Sequence, residues 1–130
     1  MKDASPTTSD NDAILDRWLA AVFSGDREAL AGMMDPAFEL HQAAGLPYGG
    51  VLKGPEGFDR FWQSFGDTFE IDVLDTIDRF QSAGGDIVLK FHFRGRLKAT
   101  GKAFDTTILE SFTFRNGKLL AIAPHWFELP

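Results

Sequence analysis

The chain has 130 residues, 44% hydrophobic and 25% charged, which suits one soluble globular domain with one core. A net charge of −6 with no cluster of Lys or Arg argues against binding nucleic acid or anionic lipid. The absence of Cys excludes disulfides, thiolate nucleophiles and Cys-ligated zinc, and no apolar run is long enough to span a bilayer.

Residues 1–10, MKDASPTTSD, are polar, lack the apolar centre of a signal peptide and read as a disordered tail. A cytoplasmic protein with a single domain over 11–130 is the expectation. Ser9 to Asp12 offer side-chain oxygens that can cap a helix. Ile14, Leu15, Trp18, Leu19, Val22 and Phe23 then recur at helical spacing. Ser24-Gly25 stops that helix, Asp26 caps a second short one, and Asp35-Pro36 ends it. Phe38 and Leu40 alternate with Glu39 and His41, so a short strand is expected, followed by a loop over 43–53.

Pro55 suits a first helical position, and Phe58, Phe61, Trp62 and Phe65 follow at i, i+3, i+4 and i+7, with Gly66 as a stop. The period then changes to two. Phe69, Ile71 and Val73 alternate with polar residues until the parity slips at Leu74, where a bulge is expected. Ile87, Leu89, Phe91 and Phe93 form a second alternating set, and His92, Lys90, Arg94 and Arg96 form its polar side. A long strand over about 103–114 and a last one to about Phe127 flank the turn at Asn116-Gly117. Three helices around one short strand, then a four-stranded antiparallel meander, define an α+β fold with the helices on one face of a curved sheet. The cavity left between them is conical.

Three phrases carry a family resemblance: AVFSGDREAL, LPYGGVLKGPEGFDRFW and FTFRNGKLLAI. They resemble the nuclear-transport-factor-2-like superfamily, with its SnoaL-like polyketide cyclases and ketosteroid isomerases, over nearly the whole chain after the tail. The resemblance implies a cystatin-like α+β roll around a hydrophobic pocket, used by enzymes and binders alike. Laid on the ketosteroid isomerase pattern, His41 falls at the base, Glu110 at the protonated acid and Trp18 at the oxyanion-holding tyrosine. Phe61, Trp62 and Trp126 fall among the pocket-lining aromatics.

Glu110 stands in the alternating set Phe104, Thr106, Ile108, Glu110, Phe112 and Phe114. A carboxyl on so apolar a face resists ionising, and kept neutral it can donate a hydrogen bond to an oxyanion. The plainer alternative is a salt bridge to a basic partner. His41 titrates near neutral pH and could move a proton, or it is a loop histidine bonded to backbone. Tyr48, the sole tyrosine, could donate to a ligand or pack as a lid over the pocket mouth.

The last hairpin leaves two registers open. A two-residue Asn116-Gly117 turn sets Glu110 opposite Ala123 and puts His125 on its face. A three-residue turn sets it opposite Ile122 and puts Trp126 there. The resemblance favours Trp126 inside, with Ile108 and Ile122 also lining the pocket and His125 on an outer, dimer-forming face. The three histidines lack the close Asp or Glu spacing of a metal site, and residues 45–54 match no phosphate loop, so no metal and no cofactor are expected. The expected function is binding of a small hydrophobic carbonyl- or phenol-bearing molecule. Turnover would be cofactor-free isomerisation, cyclisation or dehydration, with His41 as base and Glu110 holding the enolate oxygen. The alternative is a noncatalytic ligand-binding or interaction module. Epoxide hydrolysis would need an Asp-Arg-Asp set, for which only Asp105 and Arg94, on the outer face, are near candidates.

Overall fold

The computed structural model describes residues 8–130. The tail expected over 1–10 lies outside the described residues as far as residue 7, and from Thr8 the chain is already helical. Helix α1 (Thr8–Ser24) buries Ile14, Leu15, Trp18 and Val22, the stripe that helical spacing marks. Helix α2 (Arg27–Met33) starts where the Asp26 side chain accepts a hydrogen bond from the Ala29 amide. Strand β1 (Met34–Gln42) follows directly, and β2 (Gly50–Lys53) pairs antiparallel with its end, Leu40 opposite Leu52. Residues 50–53 were expected as loop. Their few residues carry no periodic signal, and pairing with β1 makes them a strand.

Helix α3 (Gly54–Thr68) has Pro55 in its first turn and continues past Gly66, because Gly in a helix is a weak cost rather than a stop. Strands β3 (Phe69–Gln81), β4 (Ile87–Leu97), β5 (Ala103–Arg115) and β6 (Lys118–Trp126) form the expected meander. The sheet order is β2-β1-β6-β5-β4-β3, mixed and open, with β1 parallel to β6 and every other pair antiparallel. Register shifts between Ile71 and Val73 and between Thr76 and Asp78 bend β3, the first beside the expected slip.

The helices cover one face of the bent sheet, and the core between them is aromatic: Phe38, Phe93 and Phe112 are fully enclosed beside Trp18. Side-chain hydrogen bonds tie the first half of helix α1 to β3 and to the turn after it. Asn11 Nδ2 donates to the Gly85 carbonyl at 2.9 Å, and Arg79 bonds Asp12 and Asp16 at 2.7 and 2.8 Å. No helix among the described residues is long and apolar enough to cross a membrane.

Candidate functional site

Between α1, α3 and the sheet lies one apolar cavity. Its volume is about 70 Å³, within a cleft of about 650 Å³ that includes the open mouth. Trp18, Tyr48, Phe61, Trp62, Ile108, Ile122 and Trp126 all line it, as does Glu110. Leu40, Ile122 and Trp18 form its deep wall. Phe23, 60% exposed at the end of α1, marks the mouth, edge-on to Trp62 with ring centroids 6.3 Å apart.

Glu110 reaches the cavity from the middle of β5, between Leu89 on β4 and Pro124 on β6. Its accessible area is that of a half-buried residue because the side chain opens onto the cavity, while the protein around its carboxyl is as dense as the interior. Desolvation pushes its pKa up to about 7, and among the described residues no cation or donor offsets that rise. The salt-bridged alternative is therefore absent from the described residues. Tyr48 is held as a neutral phenol, its pKa raised first by burial and then by the nearby charge of Glu110.

The loop between β1 and β2 delivers Tyr48. Leu46 N–H donates to the Ala43 carbonyl at 3.1 Å, and Gly49 N–H donates to Leu46 at 2.9 Å, so the chain doubles back on itself. Gly49 permits this fold, since a Cβ there would run into the Ala43 carbonyl oxygen. Tyr48, expected as a ligand donor or as a lid over the mouth, is no lid. It is 6% exposed and sits within the wall, 5.3 Å from Phe61 and 6.0 Å from Phe65 between ring centroids.

His41, expected as the base, is not in the cavity. It lies exposed on the outer side of β1, where its Nε2 meets Glu39 at 3.1 Å. The reason is the two-residue period of the strand: Phe38, Leu40 and Gln42 point inward, so Glu39 and His41 must point outward. The inward position at the end of β1 belongs to Gln42, which the sequence reading passed over. Its signal was the same alternation carried two residues beyond Leu40. His41 lines a separate shallow hollow with His125 and Leu129, which shares the wall residues Gln42, Pro124 and Trp126 with the cavity.

The last hairpin follows neither expected register. Asn116 and Gly117 both have positive φ, 52° and 77°, and close a two-residue turn with Arg115 opposite Lys118. Leu120 is then an extra residue, because Thr113 faces Ala121 and Phe114 faces Leu119. The bulge sets Glu110 opposite Pro124 and Ile108 opposite Trp126. Trp126 therefore shares the cavity face although the turn is the short one, and His125 is exposed outside.

Among the described residues, three buried polar atoms of the cavity wall lack a hydrogen-bond partner: Gln42 Oε1, Tyr48 Oη and Trp126 Nε1. Among the described residues no three His, Asp or Glu side chains stand close enough to hold a metal ion. The arrangement presents one carboxyl that titrates near neutrality, fixed neutral donors and otherwise apolar rings. It can bind a flat molecule, address its oxygen and exchange one proton with it.

The SnoaL-like domain model matches residues 15–122. An NTF2-like protein from Burkholderia xenovorans LB400 has a similar structure, with a TM-score of 0.83, 20% identity, and 94% of this chain and 92% of that one covered. Bal32a, from a soil-derived mobile gene cassette, gives 0.76, 23%, 93% and 92%. TerC, co-crystallised with polyporic acid, gives 0.74, 17%, 90% and 91%. At these identities the likeness is one of fold. No curated protein matches the chain.

Proposed function

The chain belongs to the SnoaL-like family, and from that premise and the chemistry of its cavity we propose that it binds a small, flat, hydrophobic molecule through a carbonyl or phenol oxygen. One observation carries the reading. Glu110 places a carboxyl with no ionic partner among the described residues in a wall of aromatic rings, and its pKa of about 7 keeps a large protonated fraction at neutral pH. A protonated carboxyl donates to a carbonyl or phenolate oxygen, and Tyr48 and Trp126 add donors that stay neutral. The chemistry this supports is cofactor-free proton transfer: isomerisation, cyclisation or dehydration. Glu110 is the one group of the cavity wall that titrates in the useful range, so it moves the proton: ionised, it takes a proton from the carbon beside the carbonyl, and protonated, it returns one, while Tyr48 and Trp126 donate to the enolate oxygen. TerC, a protein of similar fold, was co-crystallised with polyporic acid, which supports a small organic ligand for this chain.

The noncatalytic binder of the same fold draws on one specific observation, the outward position of His41, which leaves the cavity without a second proton carrier. We also propose a homodimer through the outer face of the sheet, where Val88, Leu109, Ala121 and Ala123 are half-buried and small or apolar; analytical ultracentrifugation reads it directly.

The test is a thermal-shift titration with 1-tetralone and 1-naphthol against the matching hydrocarbon tetralin. At ~100 times its dissociation constant a ligand adds ~2.7 kcal/mol of stability. The expected result is stabilisation by the oxygenated probes, weakened in Glu110→Gln and kept in His41→Ala. Equal stabilisation by tetralin would reduce the site to a plain apolar cavity. Turnover of any ketone by the Glu110→Gln protein would remove Glu110 from the chemistry.

A further inference from the structure

Gln42 is 8% exposed, ends the inward-pointing set of β1, and its Oε1 accepts no hydrogen bond among the described residues. A buried amide oxygen left unpaired in apolar surroundings is destabilising, and native interiors hold few of them. It shares the cavity with groups of the opposite kind. Trp126 Nε1 can only donate, and Tyr48 and protonated Glu110 each have a proton to offer. A ligand that presented acceptors alone would satisfy those three and leave Gln42 Oε1 unpaired.

The topology sets the distance between the two demands. Leu40 on β1 lies level with Ile122 on β6, and continuing that parallel register places Gln42 beside Pro124. Pro124 in turn faces Glu110 on β5. Gln42 and Glu110 therefore flank the same proline from strands two apart, about 9–10 Å between Cα positions at ordinary strand spacing. All three residues line the cavity, so a flat ring lying over Pro124 can span from one strand position to the other.

We infer that the ligand is a hydroxyaryl ketone or a close relative: its carbonyl end lies against Glu110, Tyr48 and Trp126, and a hydroxyl or N–H on the far side of the ring donates to Gln42. This inference rests on the reading of the cavity as a carbonyl- or phenol-binding site, and it makes Gln42 the residue that selects among such molecules. A ketone lacking the second group leaves the amide unpaired, and discrimination is strongest where a missing ligand hydroxyl strands a buried polar group.

The experiment is isothermal titration of three probes of one skeleton: 1-tetralone, 6-hydroxy-1-tetralone and 6-methoxy-1-tetralone. The wild type is expected to bind the hydroxy compound about tenfold tighter than either of the others. In Gln42→Leu the three affinities should converge to within about twofold. The free Gln42→Leu protein should melt no lower than wild type, since Gln42 Oε1 has no partner to lose among the described residues; a purely structural glutamine would show a drop. Gln42→Met serves as the second variant, with the same expectation, should the leucine disturb folding. Three results overturn the inference while leaving the carbonyl site standing: equal affinities in the wild type, a methoxy probe that binds as well as the hydroxy one, or a preference that survives in both variants. Binding of none of the three probes overturns the inference and the carbonyl reading together.

Discussion

Strand β5 carries a carboxyl on each of its faces, and the two have little in common. Asp105 is exposed on the outer face, bonds His92 Nε2 at 2.8 Å and stands opposite Arg94. Glu110 is on the inner face, opposite Leu89 and Pro124, and its only strong influence is desolvation. The outer group has charges nearby and water to solvate it. The inner group has no cation beside it among the described residues and is largely desolvated, so it holds its proton to about neutral pH. An acid becomes a candidate for chemistry through what is missing around it, and strand parity decides which acid that is.

Three measurements sharpen or break this contrast. The largest effect is expected where the inner face is pure packing. Phe112 is fully enclosed, and Phe112→Ala should cost ~3–5 kcal/mol in urea unfolding. A loss below ~1 kcal/mol would mean that the inner face is not the tightly packed one.

Glu110 comes next. In the unfolded chain its carboxyl titrates near the ordinary 4.5, and in the folded protein at about 7. Between these values the folded state keeps a proton that the unfolded state has released. Stability is therefore highest below the lower value and falls as pH rises through the upper one, by about 3 kcal/mol in all. Tyr48, the other titratable group of the cavity wall, stays neutral through this window. Glu110→Gln should remove this slope, leaving the variant more stable than wild type at pH 8. Denaturant midpoints from pH 4 to 9 read it, and parallel curves for the two proteins would place Glu110 in contact with solvent. The smallest effect belongs to the outer face. Asp105→Asn should shift stability by no more than about 0.5 kcal/mol, because the pair with His92 is exposed and screened. A loss above ~2 kcal/mol would show that the outer face is also desolvated, as it would be beneath a partner subunit.

Much of the architecture was legible because it depends on periodicity. The helical stripe of Phe58, Phe61, Trp62 and Phe65 and the alternating set through Ile108, Glu110 and Phe112 each point to one face, whatever packs against them. For His41 two arguments pulled apart. Resemblance to the isomerases placed it inside, while the alternation of Phe38 and Leu40 placed it outside. The alternation prevailed, because a strand cannot turn one side chain inward without a bulge.

The chain by itself determined the element order, the aromatic inner surface and the isolation of Glu110 among apolar neighbours, since all three follow from local spacing. Tertiary structure decided the rest. Pairing with β1 made a strand of residues 50–53, and two backbone turns folded Tyr48 into the wall. The bulge at Leu120 put Trp126 on the face of Glu110, although the turn alone would have put it on the other. These outcomes depend on hydrogen bonds between segments distant in sequence. A single extra residue in one strand exchanges inside for outside all along it, and local composition carries no sign of where that residue will fall.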